Sequence, residues 1–452
     1  VSTVGTVLPL VKSPTSYLGA TASTVVARWD PCRGSPMRAV PTAVAWSAVR
    51  HVFVQRLRPV QVLARRRSAH RLEARLMARD TRLRVAIATP SYPPDLGGLG
   101  NHVHDLAAAL ADLGCAVSVM SQFSTRVKAR PPLIERYSEN LTVRRFPNRF
   151  GGHRFGYAPS LRRYVEHNDG DFDVLHAFGS HAPVALAMTG ATDKPFFFSP
   201  VFHAAGYSRL ADIAHVAYDP VAKRIFEKAE VVFCSSNAER DEILRLYPFC
   251  ADWAKVVAIT VDSSMYEGVE PFQTDRPVIL SCGRLDSYKR VGSVIEAMTH
   301  VDGGAELVIC GSGPDESRLR TLIDRAGVAG SVRMLGRVSD EDLHRWQRTA
   351  TVVVSLSTHE SFGLSLAEGA VAGATIVAFD IAAHRQMADA MGVSAAFVPT
   401  SATPETVAAA LSDALDHPLT SVHRELPRGW GDVARDTMAL YEHSLASPRQ
   451  SA

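Results

Sequence analysis

The chain lacks any uninterrupted apolar run of the ~20 residues that a helix needs to cross a bilayer. It holds only 6 cysteines, at positions 32, 115, 234, 250, 282 and 310, and none stands in a Cys-x-x-Cys spacing. Most lie in or beside apolar, strand-like runs. That pattern fits buried thiols in a reducing compartment and argues against a disulfide framework or a zinc site. No His-Glu-x-x-His segment occurs, and the nicotinamide fingerprint fails: Gly98-x-Gly100 is followed by Val103, where a third glycine would stand. Acidic residues are scarce in one region only. Residues 1–80 carry 13 Lys+Arg against 3 Asp+Glu, so with +3 for the whole chain the remainder carries −7. The basic excess lies outside the patterned part, and a nucleic-acid partner is not expected.

What is present suits a soluble globular protein. At 452 residues, with 46% apolar and 21% charged side chains, the chain is long enough for two to three domains with sizeable cores. Residues 1–80 do not conform: they show little periodicity before Val52 and include Arg65-Arg66-Arg67. Met77 stands just ahead of the first convincing strand, 81–89. Residues 1–76 are therefore expected to be a dispensable, disordered extension. The alternatives are a transit peptide and a basic helix at 56–79 lying on a membrane.

From Leu83 short β-branched runs alternate with helical segments. Strands are expected at 85–88, 116–120, 142–146, 174–176, 196–200, 231–234 and 256–260, with helices such as 103–113 and 237–246 between them. Such alternation means a parallel, helix-covered sheet. A Gly- and Pro-bearing stretch at 266–277 reads as a linker. The pattern then restarts. Strands are expected at 278–282, 306–310, 332–335, 352–356 and 375–379. Helices are expected at 291–298, 316–326, 341–348, 364–372 and 404–415, with a last helix at 430–445. The expectation is two doubly wound α/β domains, 81–266 and 278–426, facing across a cleft, and a terminal segment, 427–452. Ligands of such sheets bind beyond the carboxyl ends of the strands.

The chemistry sits in the post-strand loops. Gly97 and Gly98 precede a helix whose free N–H groups and positive dipole end suit an anion. Gly283-Arg284-Leu285-Asp286-Ser287-Tyr288-Lys289-Arg290 puts cations directly after an apolar strand. Arg284 can fork onto a phosphate and Lys289 adds a point charge. Gly311 and Gly313 form a third glycine loop, where backbone can approach a base or ribose. Glu360 and Glu368 bracket Phe362, Gly363 and Leu364. Carboxylates accept hydrogen bonds from vicinal diols, and small apolar neighbours (Ala367, Gly369, Ala370) mark Glu368 as part of a packed helix. Each segment alone reads equally as a tight turn or a solvated face. Together, cations for a diphosphate and carboxylates for sugar hydroxyls match a nucleotide-sugar. His176, His181 and His203 fall near strand ends, but no metal-ligand spacing accompanies them, and buried or cleft histidines are expected.

On these residues the stretch from about 83 to 445 resembles a family 4 glycosyltransferase of the GT-B fold. The resemblance rests on Gly97-Gly98, on Gly283-Arg284 with Lys289, on Gly311-x-Gly313, on Leu335-Gly336-Arg337-Val338, and on Glu360-x7-Glu368. It implies diphosphate contacts from Arg284 and Lys289, and base reading at Arg337 and Val338. It also implies a sugar contact from Glu360, a ribose contact from Glu368, and a first-domain His203 facing the donor sugar. The last helix would cross back onto the first domain. It further implies a retaining, metal-independent hexosyltransferase with no cofactor beyond its nucleotide-sugar co-substrate, acting on a glycan, lipid or small-molecule acceptor. Its place would be the cytoplasm, with peripheral membrane association as an option. An epimerase or phosphorylase on the same fold, and a non-catalytic sugar-nucleotide-binding module, are the alternative readings. Two departures stand out: Ala258-Ile259-Thr260-Val261-Asp262 replaces the family's Pro-Asn-Gly-Val-Asp, and Ser361 and Ser365 replace the commoner Gly and Pro.

If the first 76 residues are dispensable, a chain of residues 77–452 will melt and bind donor like the full-length protein. An insoluble product, or one that no longer binds donor, contradicts this.

Overall fold

The structure is a computed structural model that describes residues 82–94, 98–123, 132–148, 156–180, 183–201, 209–301, 304–418 and 428–449, with backbone only for 209–217. The Arg-rich extension, Gly97, His181 and His203 lie outside the described residues, as does part of the first-domain loop between β4 and α2. All described residues belong to one compact unit, Arg65–Ala452.

The first half runs β1 (Arg84–Thr89), α1 (Gly98–Asp112), β2 (Ala116–Phe123), β3 (Ile134–Arg136), β4 (Leu141–Pro147), α2 (Pro159–His167), β5 (Val174–Phe178), α3 (Pro183–Met188), β6 (Phe196–Ser199), α4 (Arg209–Lys228), β7 (Val231–Cys234), α5 (Asn237–Leu246) and β8 (Ala254–Val256). The second half runs β9 (Val278–Cys282), α6 (Val291–Ala297), β10 (Glu306–Cys310), α7 (Glu316–Ala326), β11 (Val332–Gly336), α8 (Asp340–Thr349), β12 (Val352–Ser355), α9 (Leu364–Ala372), β13 (Thr375–Phe379), α10 (Ala382–Met391), β14 (Ala395–Val398), α11 (Pro404–Asp416) and α12 (Trp430–Ala446). Among the described residues no helix is long and apolar enough to cross a membrane.

Two sheets result, ordered β3-β4-β2-β1-β5-β6-β7-β8 and β11-β10-β9-β12-β13-β14. Both are doubly wound. In each, the strand order reverses beside the first strand, between β1 and β5 and between β9 and β12. Crevices for ligands open at such reversals. The expected two-sheet α/β architecture is therefore present, with two corrections. The first sheet is not wholly parallel, because β3 pairs antiparallel with β4 at the edge. The strand expected at 256–260 also lies earlier, at Ala254–Val256.

Both faces of each sheet are covered, so alternate residues of one strand feed different cores. Val85 and Ile87 join one cluster while Ala86 and Ala88 join the other. Ile279 points to one side of the second sheet, Val278 and Leu280 to the opposite side. Helix limits follow local chemistry. Ser236 caps α5 and Ser339 caps α8, each side-chain oxygen accepting an N–H from three residues on. The left-handed Gly327 closes α7.

Helix α12 packs against the first sheet's layer: Val433, Ala434 and Tyr441 share a core with β1, β2 and α1. Trp430 touches the cores of both halves. Tyr441 is fully buried, with its Oη 2.5 Å from His176 Nδ1, and Ser199 Oγ lies 2.8 Å from His176 Nε2. Burial, reinforced by His102, pulls His176 down to about 3, so the ring stays neutral. His176 is thus a satisfied core histidine, and no cluster able to hold a metal occurs among the described residues.

Tyr441→Phe removes one partner of the buried His176 and strands a polar atom, which costs about 1–3 kcal/mol. A lower Tm with unchanged nucleotide affinity is expected in a melting assay. A parental Tm would show that the contact does not hold α12 down.

Candidate active site

Strands β9 and β12 are neighbours, paired through Ile279 and Val352. The loops that follow them therefore meet. Thr358 N and Oγ1 both donate to the Tyr288 carbonyl, at 3.0 and 3.3 Å. The ammonium of Lys289 donates to Glu360 Oε1, an ion pair whose side chains are 21% and 12% exposed. These residues are 71 positions apart in sequence. Arg284 lies on the same loop but turns its guanidinium onto Asp286, with Nε 2.8 Å from Oδ2. Arg290 stands exposed in the left-handed region (φ 54°) at the start of α6. Lys289 alone of the adjacent cations thus meets a carboxylate of the second loop. A small cavity under the first loop is lined by Cys282, Gly283, Arg284, Lys289, Val354 and Ser355.

The glycine loops interlock by backbone packing. Gly311 has φ 145°, and a Cβ there would lie 1.8 Å from the Gly283 carbonyl oxygen. A Cβ on Gly313 would lie 2.4 Å from the Leu285 carbonyl oxygen. Gly283 N donates to Cys310 O at 3.0 Å, and Gly311 N to Gly336 O at 2.7 Å. The loops after β9, β10 and β11 therefore form one layered rim, and the glycines are required by that contact whether or not a ligand is bound.

Glu368 stands on α9. Its Oε2 accepts from Gln347 Nε2 at 2.8 Å, and Gln347 Oε1 accepts from Tyr266 Oη at 2.9 Å. Burial lifts the Glu368 carboxyl from the ordinary 4.5 to about 7; the Gln347 amide opposes this, while Asp105 and Asp340 add repulsion. Asp105, on α1, is itself pushed up to about 7 by burial and by Asp262. Phe362 is buried, and Gly363 opens α9 at φ 101° with no side chain capping it. A Cβ on Gly363 would lie 3.2 Å from His384 Cδ2. His384 is fully buried, 2.8 Å from the Phe379 carbonyl through Nδ1, and its Nε2 has no partner.

The first half reaches this rim. A Cβ on Gly98 would stand 3.2 Å from Leu364 Cδ1, so the starts of α1 and α9 face one another. Arg337 is exposed and its Nη2 donates to Pro94 O at 3.3 Å, while Val338 packs on the core beneath. Of the residues singled out from the sequence, Gly283, Arg284 and Lys289 line that cavity, Glu360 pairs with Lys289, Gly311 and Gly313 pack on the Gly283 loop, and Gly98 lies against Leu364. Sequence reasoning missed Asp286, Tyr266, Gln347 and His384. Asp286 sits in a motif already singled out; Tyr266 and Gln347 reach Glu368 only through contacts distant in sequence, and His384 lies beside Gly363 on a separate helix.

Two doubly wound α/β halves in tandem have the GT-B architecture. The family model described as "Glycosyltransferase Family 4" matches residues 96–264, and "Glycosyl transferases group 1" matches residues 264–436. The chain is a glycosyltransferase and belongs to glycosyltransferase family 4. It is 27% identical over 403 residues to the D-inositol 3-phosphate glycosyltransferase of Frankia alni, covering 78% of this chain and 96% of that one. It is 27% identical over 382 residues to the phosphatidyl-myo-inositol mannosyltransferase of Mycolicibacterium smegmatis, covering 80% and 94%. Among solved structures, sucrose-phosphate synthase from Thermosynechococcus elongatus superposes with a TM-score of 0.63 at 18% identity, over 81% of this chain and all (100%) of that one. Anabaena HepE in complex with UDP and glucose superposes at 0.57 with 16% identity, over 80% and 100%.

A carboxyl raised in the fold stabilises it fully below the unfolded value, and that contribution is lost as pH rises through the folded value. The parent should therefore lose stability relative to Glu368→Gln between pH 5 and pH 8, by about 3 kcal/mol at most. Melting curves across that range test it; a constant difference contradicts the assigned environment.

Proposed function

We propose that the chain transfers a hexose from a nucleoside-diphosphate sugar to an acceptor hydroxyl, with retention of anomeric configuration and without a required metal. The observation that carries this reading is the meeting of Lys289 with Glu360 at the strand reversal, with Arg284 on the same loop. In the proposed mechanism the bond from the anomeric carbon to the diphosphate oxygen breaks. The acceptor oxygen bonds to that carbon on the same face, and its proton passes to the departing diphosphate. Arg284 and Lys289 stabilise the negative charge that grows on the leaving group, an interaction stronger in the transition state than in the ground state. The facing starts of α1 and α9 add backbone N–H groups and positive dipole ends. Glu360 exchanges Lys289 for hydroxyls of the transferred sugar. Glu368, held by Gln347, takes the ribose.

HepE binds UDP and glucose in its crystals, which supports a nucleotide-sugar donor for this chain as well. Both relatives above carry an inositol in their names. Phosphorylated inositols are accordingly the first acceptors to assay.

A screen of UDP-, GDP- and ADP-sugars by thermal shift identifies the donor. Ligand at 100 times Kd should stabilise by about 2.7 kcal/mol. With that donor, activity should persist in excess EDTA and NMR should show a retained anomer. Loss of activity restored by Mn²⁺, or an inverted product, contradicts the mechanism.

Hydrogen bonds to charged groups contribute about 1.5–3 kcal/mol, roughly 10- to 150-fold. Glu360→Gln should mainly lower kcat and Glu368→Gln mainly raise the donor KM. Near-parental kinetics in both variants would remove this crevice from the chemistry.

A further inference from the structure

The Glu360 loop is not held by its own domain alone. Its next residue, Ser361, turns its carbonyl toward the first half of the chain, where the start of α5 is docked. Ser236 Oγ lies 2.8 Å from Ser361 O, and Ser235 Oγ lies 3.3 Å from the same atom. The two hydroxyls are not equivalent. Ser235 Oγ stands 2.5 Å from Glu239 Oε2, a carboxylate that also accepts Ser235 N at 2.6 Å. The single proton of Ser235 is therefore committed to Glu239. Ser236 Oγ accepts from Glu239 N at 3.1 Å, which leaves its own proton for Ser361. A second bond fixes the same junction: Ala238 N, in the first turn of α5, donates to Gln386 Oε1 on α10 at 2.7 Å. Ser236 and Glu239 are only 4% and 3% exposed, so water competes weakly for these groups.

We infer that Ser236 is a positioning residue for the donor sugar. Its hydroxyl caps α5 with the lone pairs and, with the proton, fixes the backbone between Glu360 and Phe362. The docked start of α5 thus adds a second hold on the Glu360 loop, beside the Lys289 ion pair. The sugar pocket is thereby completed by the domain that does not contain Glu360, and the nucleotide end of the site is untouched. This rests on the proposed role of Glu360 at the sugar.

The test separates the cap from the cross-domain bond. Glycine caps a helix nearly as well as serine, at a cost of a few tenths of a kcal/mol. Ser236→Gly thus loses the donated proton at little cost to the start of the helix. Because Ser235 stands close enough to substitute, the deciding variant is the double change Ser235→Ala with Ser236→Gly in the full chain. Its affinity for UDP and GDP, by calorimetry, should stay within about twofold of the parent. Its kcat/KM with whichever of UDP-glucose, GDP-mannose or ADP-glucose the protein turns over should fall about 3- to 10-fold, the size of one neutral hydrogen bond. Replacing the glycine of that double variant by threonine (Ser235→Ala with Ser236→Thr), which keeps both lone pair and proton at this position, should restore it. Parental kcat/KM in the double variant overturns the inference, and so does an equal loss of nucleotide affinity, which would mark a structural role only. Glu360→Gln measured alongside separates the two ideas. If it is impaired while the double variant is not, Ser236 fails and the sugar site stands; if Glu360→Gln is itself parental, the sugar-site reading fails.

Discussion

The candidate site depends on β9 and β12 lying side by side where the strand order reverses. Helices α6 and α9 leave to opposite faces of the sheet at that point, so neither lies across the carboxyl ends of the two strands. The loops that follow are free to meet each other instead. Lys289 and Glu360, contributed by different loops, come into contact there because the chain between them has been folded away into β10, β11 and their helices. There the cation and the carboxylate neutralise each other's charge in a half-enclosed setting.

Close packing and hydrogen bonds surround that pair. Gly311 and Gly313 let the second loop lie against the carbonyls of the first, which fixes the floor. Tyr266 and Gln347 aim Glu368 from behind, with the tyrosine hydroxyl donating to the amide and the amide donating to the carboxylate. The first half closes the other side through Gly98 against Leu364 and through Ser236 on the Ser361 carbonyl. Helix α12 ties the arrangement together: Trp430 sits in both cores, and Tyr441 is buried against His176. The two halves are thus joined by packing and hydrogen bonds along one boundary.

Much of this was legible in the sequence, and the reasons differ by element. Runs such as 231–234, 278–282, 306–310 and 375–379 are short, apolar and bounded by turn residues, and they are strands with those limits. Helix 364–372 was readable from its small apolar residues and the glycine before it. Helix α4 was not, because Pro220 interrupts its interior. Strand β3 is three residues at a sheet edge, too short to show a period, and its antiparallel pairing is set by β4 rather than by its own residues. The charged residues of the site were legible as types, since cations and carboxylates after strands carry their chemistry openly. Their partners were not. That Arg284 would lie on Asp286, or Lys289 on Glu360, follows from loop geometry that no local pattern encodes.

The most direct test of the donor-site assignment is a crystal structure of the full chain with its nucleotide-sugar. The account predicts that the Lys289–Glu360 pair opens, with the ammonium on the diphosphate, the Glu360 carboxylate on the sugar and Glu368 on the ribose. A donor bound elsewhere, with Lys289 and Glu360 still paired, would contradict it.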